Sequence, residues 1–326
     1  RCPVLPPPYR MIDRLRSEWQ ALRASIAGLS PAARRASIVM IAATALVLLH
    51  LQVGGRRVYQ VTLDNILGFE DPAFGAWAWW FGMQGVLGFV VPAAILLIGF
   101  RWSARESGLG LGDWKLALGL SALYIPLVVV GTWVLSDGAG FRAQYPHYFP
   151  ARDDWSLFLA YEALFLFYWV GWEYLWRGFV LFGTAPAIGA PLAIVAQTVP
   201  FAILHAQKPA AEAYLSILGG LALGALVWRC RSFWIAVPLH AAQMLILDLW
   251  ATLRHRTGAS GVGLDALMQA LGGLGEATPG FTAESRRGLD FPSASRVYCT
   301  VSSHPPWTRF TEPLSPPSVT TPARLS

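Results

Sequence analysis

Three side chains that are able to activate water occur within apolar stretches of the sequence: Glu173, His205 and His240. Glu173 lies in the segment 171–183, GWEYLWRGFVLFG, and Arg177 follows four residues later, which places both on one face of a helix. A carboxylate and two imidazoles supply what hydrolysis needs, namely a proton acceptor near neutral pH and donors for the oxyanion that forms. The elements around these residues must therefore bring them to one point.

The composition assigns these elements to a membrane. Hydrophobic residues make up 55% of the 326 residues, charged residues 13%, and the mean hydropathy is +0.45, which excludes an ordinary soluble domain. We predict an all-α polytopic membrane bundle of about seven transmembrane helices, because seven apolar runs are long enough to cross about 30 Å of hydrocarbon. These runs are 37–53, 75–100, 115–135, 155–182, 188–206, 211–229 and 232–252.

The net charge of +6 is unevenly distributed along the chain. The first predicted span is preceded by Arg10, Arg14, Arg16, Arg23, Arg34 and Arg35, so the positive-inside rule predicts a cytoplasmic N-terminus. Arg254 and Arg256, after the seventh span, oppose this orientation. Because the arginines flank spans, they indicate contact with anionic lipid of the bilayer, and no nucleic-acid partner is expected. Three scattered cysteines predict neither a disulfide framework nor a cysteine zinc site.

Four regions follow from this pattern. Residues 1–36 form a basic, amphipathic cytoplasmic segment, in which 11–28 place apolar side chains along one helical stripe, as in a helix that lies on a membrane surface. Residues 37–114 hold an N-terminal transmembrane pair with its loop, and 115–252 hold the membrane core. Residues 253–326 are predicted to be a disordered or spurious tail, and 1–10 are expected to precede the biological start at Met11.

The order of three motifs resembles a known family. Glu173-x-x-x-Arg177-Gly-Phe, then Phe201-x-x-x-His205, then His240 in a later span, is similar to the CAAX protease and bacteriocin-processing (CPBP, or Abi) family of intramembrane endopeptidases. The resemblance covers about residues 100–252. That family usually has two adjacent glutamates in the first motif and an Asn or Asp four residues after the last histidine, where this chain has Trp172 and Met244.

The resemblance implies a membrane-embedded or lipidated peptide as substrate and a site in the bacterial cytoplasmic membrane. It implies that Glu173, Arg177, His205 and His240 form the catalytic set, in which Glu173 and His205 activate a water and His240 stabilises the oxyanion. Zinc is a candidate cofactor, because Glu173, His205 and His240 would make a His₂Glu set with an open fourth position. A metal-independent mechanism stays open beside it.

Three residues are candidates for supporting roles. Glu162 lies eleven residues before Glu173, on the same helical face, while Gln243 and Asp248 follow His240 by about one and two turns. Two other functions stay open: a non-catalytic relative that acts as a membrane scaffold or immunity protein, because Trp172 replaces a glutamate, and a small proton-coupled transporter that uses the same buried polar residues.

Two pairs are interpreted as structural. Gly220 and Gly224 have the spacing that lets membrane helices pack closely. Lys208 and Glu212, four residues apart, are predicted to form a surface salt bridge that orders a loop.

Overall fold

The computed structural model describes residues 8–275, and this part of the chain is all-α, as predicted, with no strand. The predictions for 1–7 and 276–326 lie outside the described residues. The helices are α1 (Pro8–Ala27), α2 (Pro31–Gln52), α3 (56–67), α4 (Pro72–Gly99), α5 (Trp114–Ser136), α6 (Ala139–Arg142), α7 (155–188), α8 (Ala190–Ile203), α9 (Ala210–Cys230), α10 (Phe233–Thr257) and α11 (Leu264–Gly272).

Five of the described helices are long and apolar enough to span a membrane: α2, α4, α5, α9 and α10. The other two predicted spans also form helices. The fourth corresponds to α7, whose mostly apolar sequence contains the ionisable residues Glu162, Glu173 and Arg177. The fifth corresponds to α8, which has only 14 residues and ends at Ile203, before a tight turn that leads to Lys208 and Pro209.

Helix α7 changes its winding at the predicted site. It begins at Asp154, whose carboxylate accepts hydrogen bonds from the backbone N–H groups of Ser156 and Leu157. Regular α-helix runs from Trp155 to Glu173, π-helix from Tyr174 to Val180, and α-helix again from Leu181 to Ile188. A π segment widens the helix and shifts the direction of the side chains that follow, and such segments are frequent at functional sites.

Glycines allow α4 and α7 to cross with their backbones in contact. A Cβ atom on Gly171 would lie 2.1 Å from the carbonyl oxygen of Gln84, and a Cβ atom on Gly88 would lie 2.4 Å from the carbonyl oxygen of Gly171. Both distances are far below van der Waals contact, so side chains are excluded from this crossing. The close approach fixes the residues just before Glu173 against α4.

A second close crossing joins α8 to α9, where close packing of Gly220 and Gly224 is predicted. A Cβ atom on Gly220 would lie 2.7 Å from Thr198 Cγ2, and one on Gly224 would lie 2.7 Å from Gln197 Nε2. The Gln197 amide also donates a hydrogen bond of 2.8 Å to the carbonyl oxygen of Gly220. The structure therefore shows the predicted close packing, and it positions the helix that leads to His205.

The predicted boundary of a disordered tail at residue 253 is wrong for the described part of that region. Helix α10 continues to Thr257, and α11 buries Ala266 and Ala270 against a cluster that includes Leu253. The segment between the two helices is rich in Gly and Ser, so the composition does not indicate that this region is folded. Residues 253–275 therefore belong to the folded bundle.

Arg254 and Arg256 are structural residues of this bundle. Buried Arg254 donates hydrogen bonds to Ser136 Oγ at 2.8 Å, to the carbonyl of Trp133 at 3.1 Å and to the carbonyl of Gly261 at 2.9 Å. Arg256 donates to the carbonyl oxygens of Arg152 and Asp153, both at 2.8 Å. Since both guanidinium groups are committed to protein carbonyls, they are poor indicators of membrane orientation.

We expect Gly171→Ala to destabilise the protein by about 1–3 kcal/mol, because the added methyl group must force α4 and α7 apart. The measurement is thermal unfolding of the detergent-solubilised protein. Gly82→Ala on α4 is the matched control, since a Cβ atom there has no neighbour within 4 Å and alanine favours a helix. Equal stability of the two variants would contradict the tight crossing.

We expect Arg254→Met to cost about 3 kcal/mol of unfolding free energy, because it removes a buried guanidinium that donates to the Trp133 and Gly261 carbonyl groups and is one of the two cations beside Asp137. Arg229→Met is the control, since that side chain is 70% exposed and makes only a 3.9 Å ion pair with Asp113. Denaturant unfolding of both variants would reveal the difference, and a small effect of Arg254→Met would refute this structural role.

Candidate functional site

Glu173 and His240 bring α7 and α10 together at a buried polar contact. His240 Nδ1 lies 2.6 Å from Glu173 Oε1, and Arg177 Nη1 lies 3.1 Å from the same oxygen. Glu173 and Arg177 are both fully buried, and the His240 ring stacks on Trp169 with 4.1 Å between ring centroids. The structure thus joins three of the predicted site residues around one carboxylate oxygen.

Arg177 extends this contact to α8. Its guanidinium carbon lies 4.0 Å from the centroid of the Phe201 ring, a cation–π distance. Among the described residues, its Nε and Nη2 atoms have no acceptor, and Glu173 Oε2 has no donor. The charge of Glu173 is therefore balanced on one side only, and its second oxygen is available for a further proton or donor.

His205 enters the same region from the turn that follows α8. Its Nδ1 lies 2.7 Å from the carbonyl oxygen of Phe201, one helical turn earlier. Because a carbonyl can only accept, Nδ1 carries the hydrogen and Nε2 keeps its lone pair. The Phe201-x-x-x-His205 spacing thus sets the tautomer of the imidazole.

The two histidines line one cavity of about 70 Å³. This volume holds a few water molecules but no peptide. Since Nδ1 of each ring is bonded elsewhere, Nε2 of each ring is the nitrogen that is left for the cavity. Glu173 and Arg177 lie behind His240 and do not form part of the lining, whose other members are His147, Phe165, Tyr168, Trp169, Trp172, Leu204, Lys208, Glu212 and Met244.

Both departures from the family pattern lie on the wall of this cavity. The Trp172 ring stacks on Tyr168 at 5.7 Å between centroids and lies 6.1 Å from the His205 ring. Met244, one turn after His240, is also buried in the lining. Apolar side chains therefore occupy the two positions where the resemblance expects a glutamate and an Asn or Asp.

A second polar cluster lies at the cavity, and only its Lys208–Glu212 pair is predicted from the sequence. Lys208 Nζ lies 2.8 Å from the Tyr145 hydroxyl, 3.0 Å from His147 Nε2 and 3.7 Å from Glu212 Oε1. The Tyr145 hydroxyl donates to Glu212 at 2.6–2.7 Å. The predicted Lys208–Glu212 pair exists, but it is mostly buried at the cavity rather than on an open surface, so that part of the interpretation is wrong.

Burial dominates the proton affinities in this cluster. It lowers the pKa of His147 well below the ordinary value, and the neighbouring Lys208 ammonium lowers it further. Burial likewise raises the pKa of the Tyr145 hydroxyl, and the Glu212 carboxylate adds to that shift. His147 is thus a neutral imidazole that accepts a hydrogen bond from Lys208. No local sequence signal marks His147, because it reaches the cavity from the loop 143–154.

The predicted supporting residues lie apart from the cavity lining. Gln243 accepts a 2.7 Å hydrogen bond from the Tyr124 hydroxyl. Glu162 and Asp248 contact each other in another part of the α7–α10 interface. Glu162 and Glu173 both contact residues of α10, which agrees with the predicted shared face of α7, but none of the three supporting residues contributes to the wall of the cavity.

A three-ligand zinc site does not fit the arrangement of Glu173, His205 and His240. Glu173 Oε1 is bonded to His240 Nδ1, whereas the cavity is left with Nε2 of each histidine and no carboxylate of α7. Within residues 8–275, no group of three or more His, Cys, Asp or Glu side chains is placed to hold a metal ion. Zinc stays an untested prediction.

Comparison with known proteins places this site in a family context. Residues 154–246 match the family model described as type II CAAX prenyl endopeptidase Rce1-like. No curated protein and no solved structure gives a match. The matched segment begins at the residue that caps α7 and ends within α10, so it contains Glu173, Arg177, His205 and His240. The match confirms the resemblance to the CAAX protease family over this segment of the chain.

Proposed function

We propose that this protein is an intramembrane endopeptidase that hydrolyses a membrane-bound or lipidated peptide at the His205–His240 cavity. The observation that carries the proposal is that His205 and His240 line one small cavity and that their Nδ1 atoms have chemically different partners. Different partners give two similar side chains different roles.

His205 is the proton acceptor in this scheme. Its Nδ1–H is held by the Phe201 carbonyl, so the neutral ring presents the Nε2 lone pair to a water in the cavity. The water oxygen attacks the peptide carbonyl carbon while Nε2 takes its proton, and the same nitrogen later gives a proton to the leaving amine. Glu173 does not line the cavity, so this proposal replaces the direct contact between Glu173 and water that the family resemblance implies.

His240 stabilises the oxyanion. When the ring carries both protons, its Nδ1–H is bonded to the Glu173 carboxylate at 2.6 Å and its Nε2–H is a donor for the negative oxygen. Arg177 holds Glu173 at 3.1 Å and prevents the carboxylate from turning away. Glu173 and Arg177 act through His240, so they are positioning residues.

The size of the cavity limits the substrate that enters it. About 70 Å³ holds water but not an extended peptide, so a substrate must displace side chains of the wall. The surroundings are apolar helices of a membrane bundle, which favours a peptide that already lies in the bilayer. We assign the protein to the bacterial cytoplasmic membrane, with a cytoplasmic N-terminus.

A non-catalytic member of the family is the second candidate function. Trp172 and Met244 place an indole and a thioether on the cavity wall at the two positions where a carboxylate and an Asn or Asp are expected. A protein of this kind would bind a membrane peptide in the cavity without cleaving it, as a scaffold or immunity protein.

His205→Ala should abolish cleavage, with a loss of about 10²–10⁴-fold, because it removes the proton acceptor. The measurement compares the terminal peptides of membranes from cells that express the wild type or the variant, by mass spectrometry at equal folded abundance. Glu18→Gln, on exposed α1, is the control. New termini that depend on His205 and not on Glu18 would support proteolysis, and identical termini in all samples would contradict it.

The double substitution Trp172→Glu with Met244→Asn separates the two candidate functions, because it supplies the two polar groups that the family pattern contains. If the wild type is an enzyme, the double variant changes an existing set of cleaved peptides. Cleavage that appears only in the double variant would identify the wild type as a non-catalytic relative. Trp172→Phe with Met244→Leu is the apolar control.

A further inference from the structure

A second pair of buried ionisable groups joins α7 and α10 outside the cavity. The side chains of Glu162 and Asp248 are in hydrogen-bond contact. Asp248 is fully buried. Both of its carboxyl oxygens, and Glu162 Oε1 as well, receive no hydrogen bond from any donor within residues 8–275. Two acceptors in contact cannot form a hydrogen bond unless one of them carries a proton.

The position of this pair follows from the packing of two antiparallel helices. Glu173 contacts His240, and Glu162, eleven residues earlier on α7, contacts Asp248, eight residues later on α10. Eleven residues of helix correspond to about 16 Å along the axis. The same two helices therefore carry two separate polar contacts, one beside the cavity and one about three turns away.

The neighbouring cations donate their hydrogen bonds to other partners, and Arg152 Nε is left without an acceptor among the described residues. Lys208 Nζ contacts the Tyr145 hydroxyl and His147 Nε2, and Arg152 Nη2 donates to the carbonyl oxygens of Arg142 and Tyr145. Both cations act on Asp248 through space, but neither donates a hydrogen bond to it. Among the contacts of the described residues, neither cation therefore neutralises the two carboxylates directly.

Tyr161 points to the same site independently. Its side chain is fully buried, and it interacts electrostatically with both Glu162 and Asp248. Its hydroxyl has no hydrogen-bond partner among the described residues. One site therefore contains the phenol, the two carboxyl groups and the cations of Lys208 and Arg152. These groups come from α7, α10, the loop before α7 and the turn before α9.

From this geometry we infer that Glu162 and Asp248 form a proton-binding site, in which one proton is shared between the two carboxyl groups at neutral pH. The ligand is H⁺ itself. The shared proton converts repulsion between two like charges into a hydrogen bond that ties α7 to α10. Loss of the proton would push apart the two helices that hold Glu173 and His240, so the site couples proton binding to the geometry of the cavity.

The test is infrared difference spectroscopy of the full-length protein in a detergent without ester groups. The wild type at neutral pH should show the C=O stretching band of a protonated carboxylic acid, with a small downshift in D₂O. Asp248→Asn and Glu162→Gln should each remove or shift this band. Glu212→Gln is the control and should leave it unchanged, because Glu212 accepts hydrogen bonds from Tyr145 and faces Lys208.

Absence of the band in the wild type would overturn the inference, and so would a band that survives both substitutions at the pair. A second measurement covers the case in which a variant folds poorly. Because the folded state binds the extra proton, stability of the wild type should fall as the pH rises above the ordinary range for a carboxyl group, and Asp248→Asn should show a flatter profile. A wild-type profile as flat as that of the variant would also contradict the site.

Discussion

Glu173 is a carboxylate with no access to bulk water, and the free-energy cost of such burial, several kcal/mol for an unpaired ion, must be offset by the groups around it. Two groups do so: Arg177 from the next turn of α7 and His240 from α10. Arg177 in turn rests on the Phe201 ring of α8. Neutralising one charge thus ties together three helices of the core and determines where the imidazole of His240 can point.

This arrangement depends on how closely the helices approach. Gly171 lies two residues before Glu173 and touches the backbone of α4, while the π segment begins at Tyr174, directly after Glu173. The carboxylate is therefore held between a fixed crossing and a change in helical winding. Regular helix on both sides of Glu173 would direct the Arg177 side chain differently, so the ion pair depends on the π segment.

Much of this could be predicted from the sequence, because it depends on local spacing. The i, i+4 relation of Glu173 and Arg177, the Gly220–Gly224 packing and the apolar runs are all visible in the residue order. The unpredicted features depend on contacts between distant segments: His147 reaches the cavity from a loop, Arg254 binds carbonyls of α5 and of the loop after α10, and Glu162 meets Asp248 rather than the cavity. Composition also missed the order of residues 253–275, since Arg254 and α11 stabilise a segment that is rich in Gly and Ser.

The four residues that match the family pattern do not all argue equally for catalysis. Glu173, Arg177 and His240 would be kept even in a chain without activity, because removing any of them leaves a buried charge or donor unpaired within the bundle. His205 is different: its Nδ1 bonds only to the backbone of its own helix turn, and its ring faces the cavity without joining two helices through a hydrogen bond. Helix packing alone gives little reason to keep an imidazole there rather than an apolar ring. The presence of His205 is therefore the strongest argument for catalysis. Trp172, whose ring centroid lies 6.1 Å from that of His205, is the strongest argument against it.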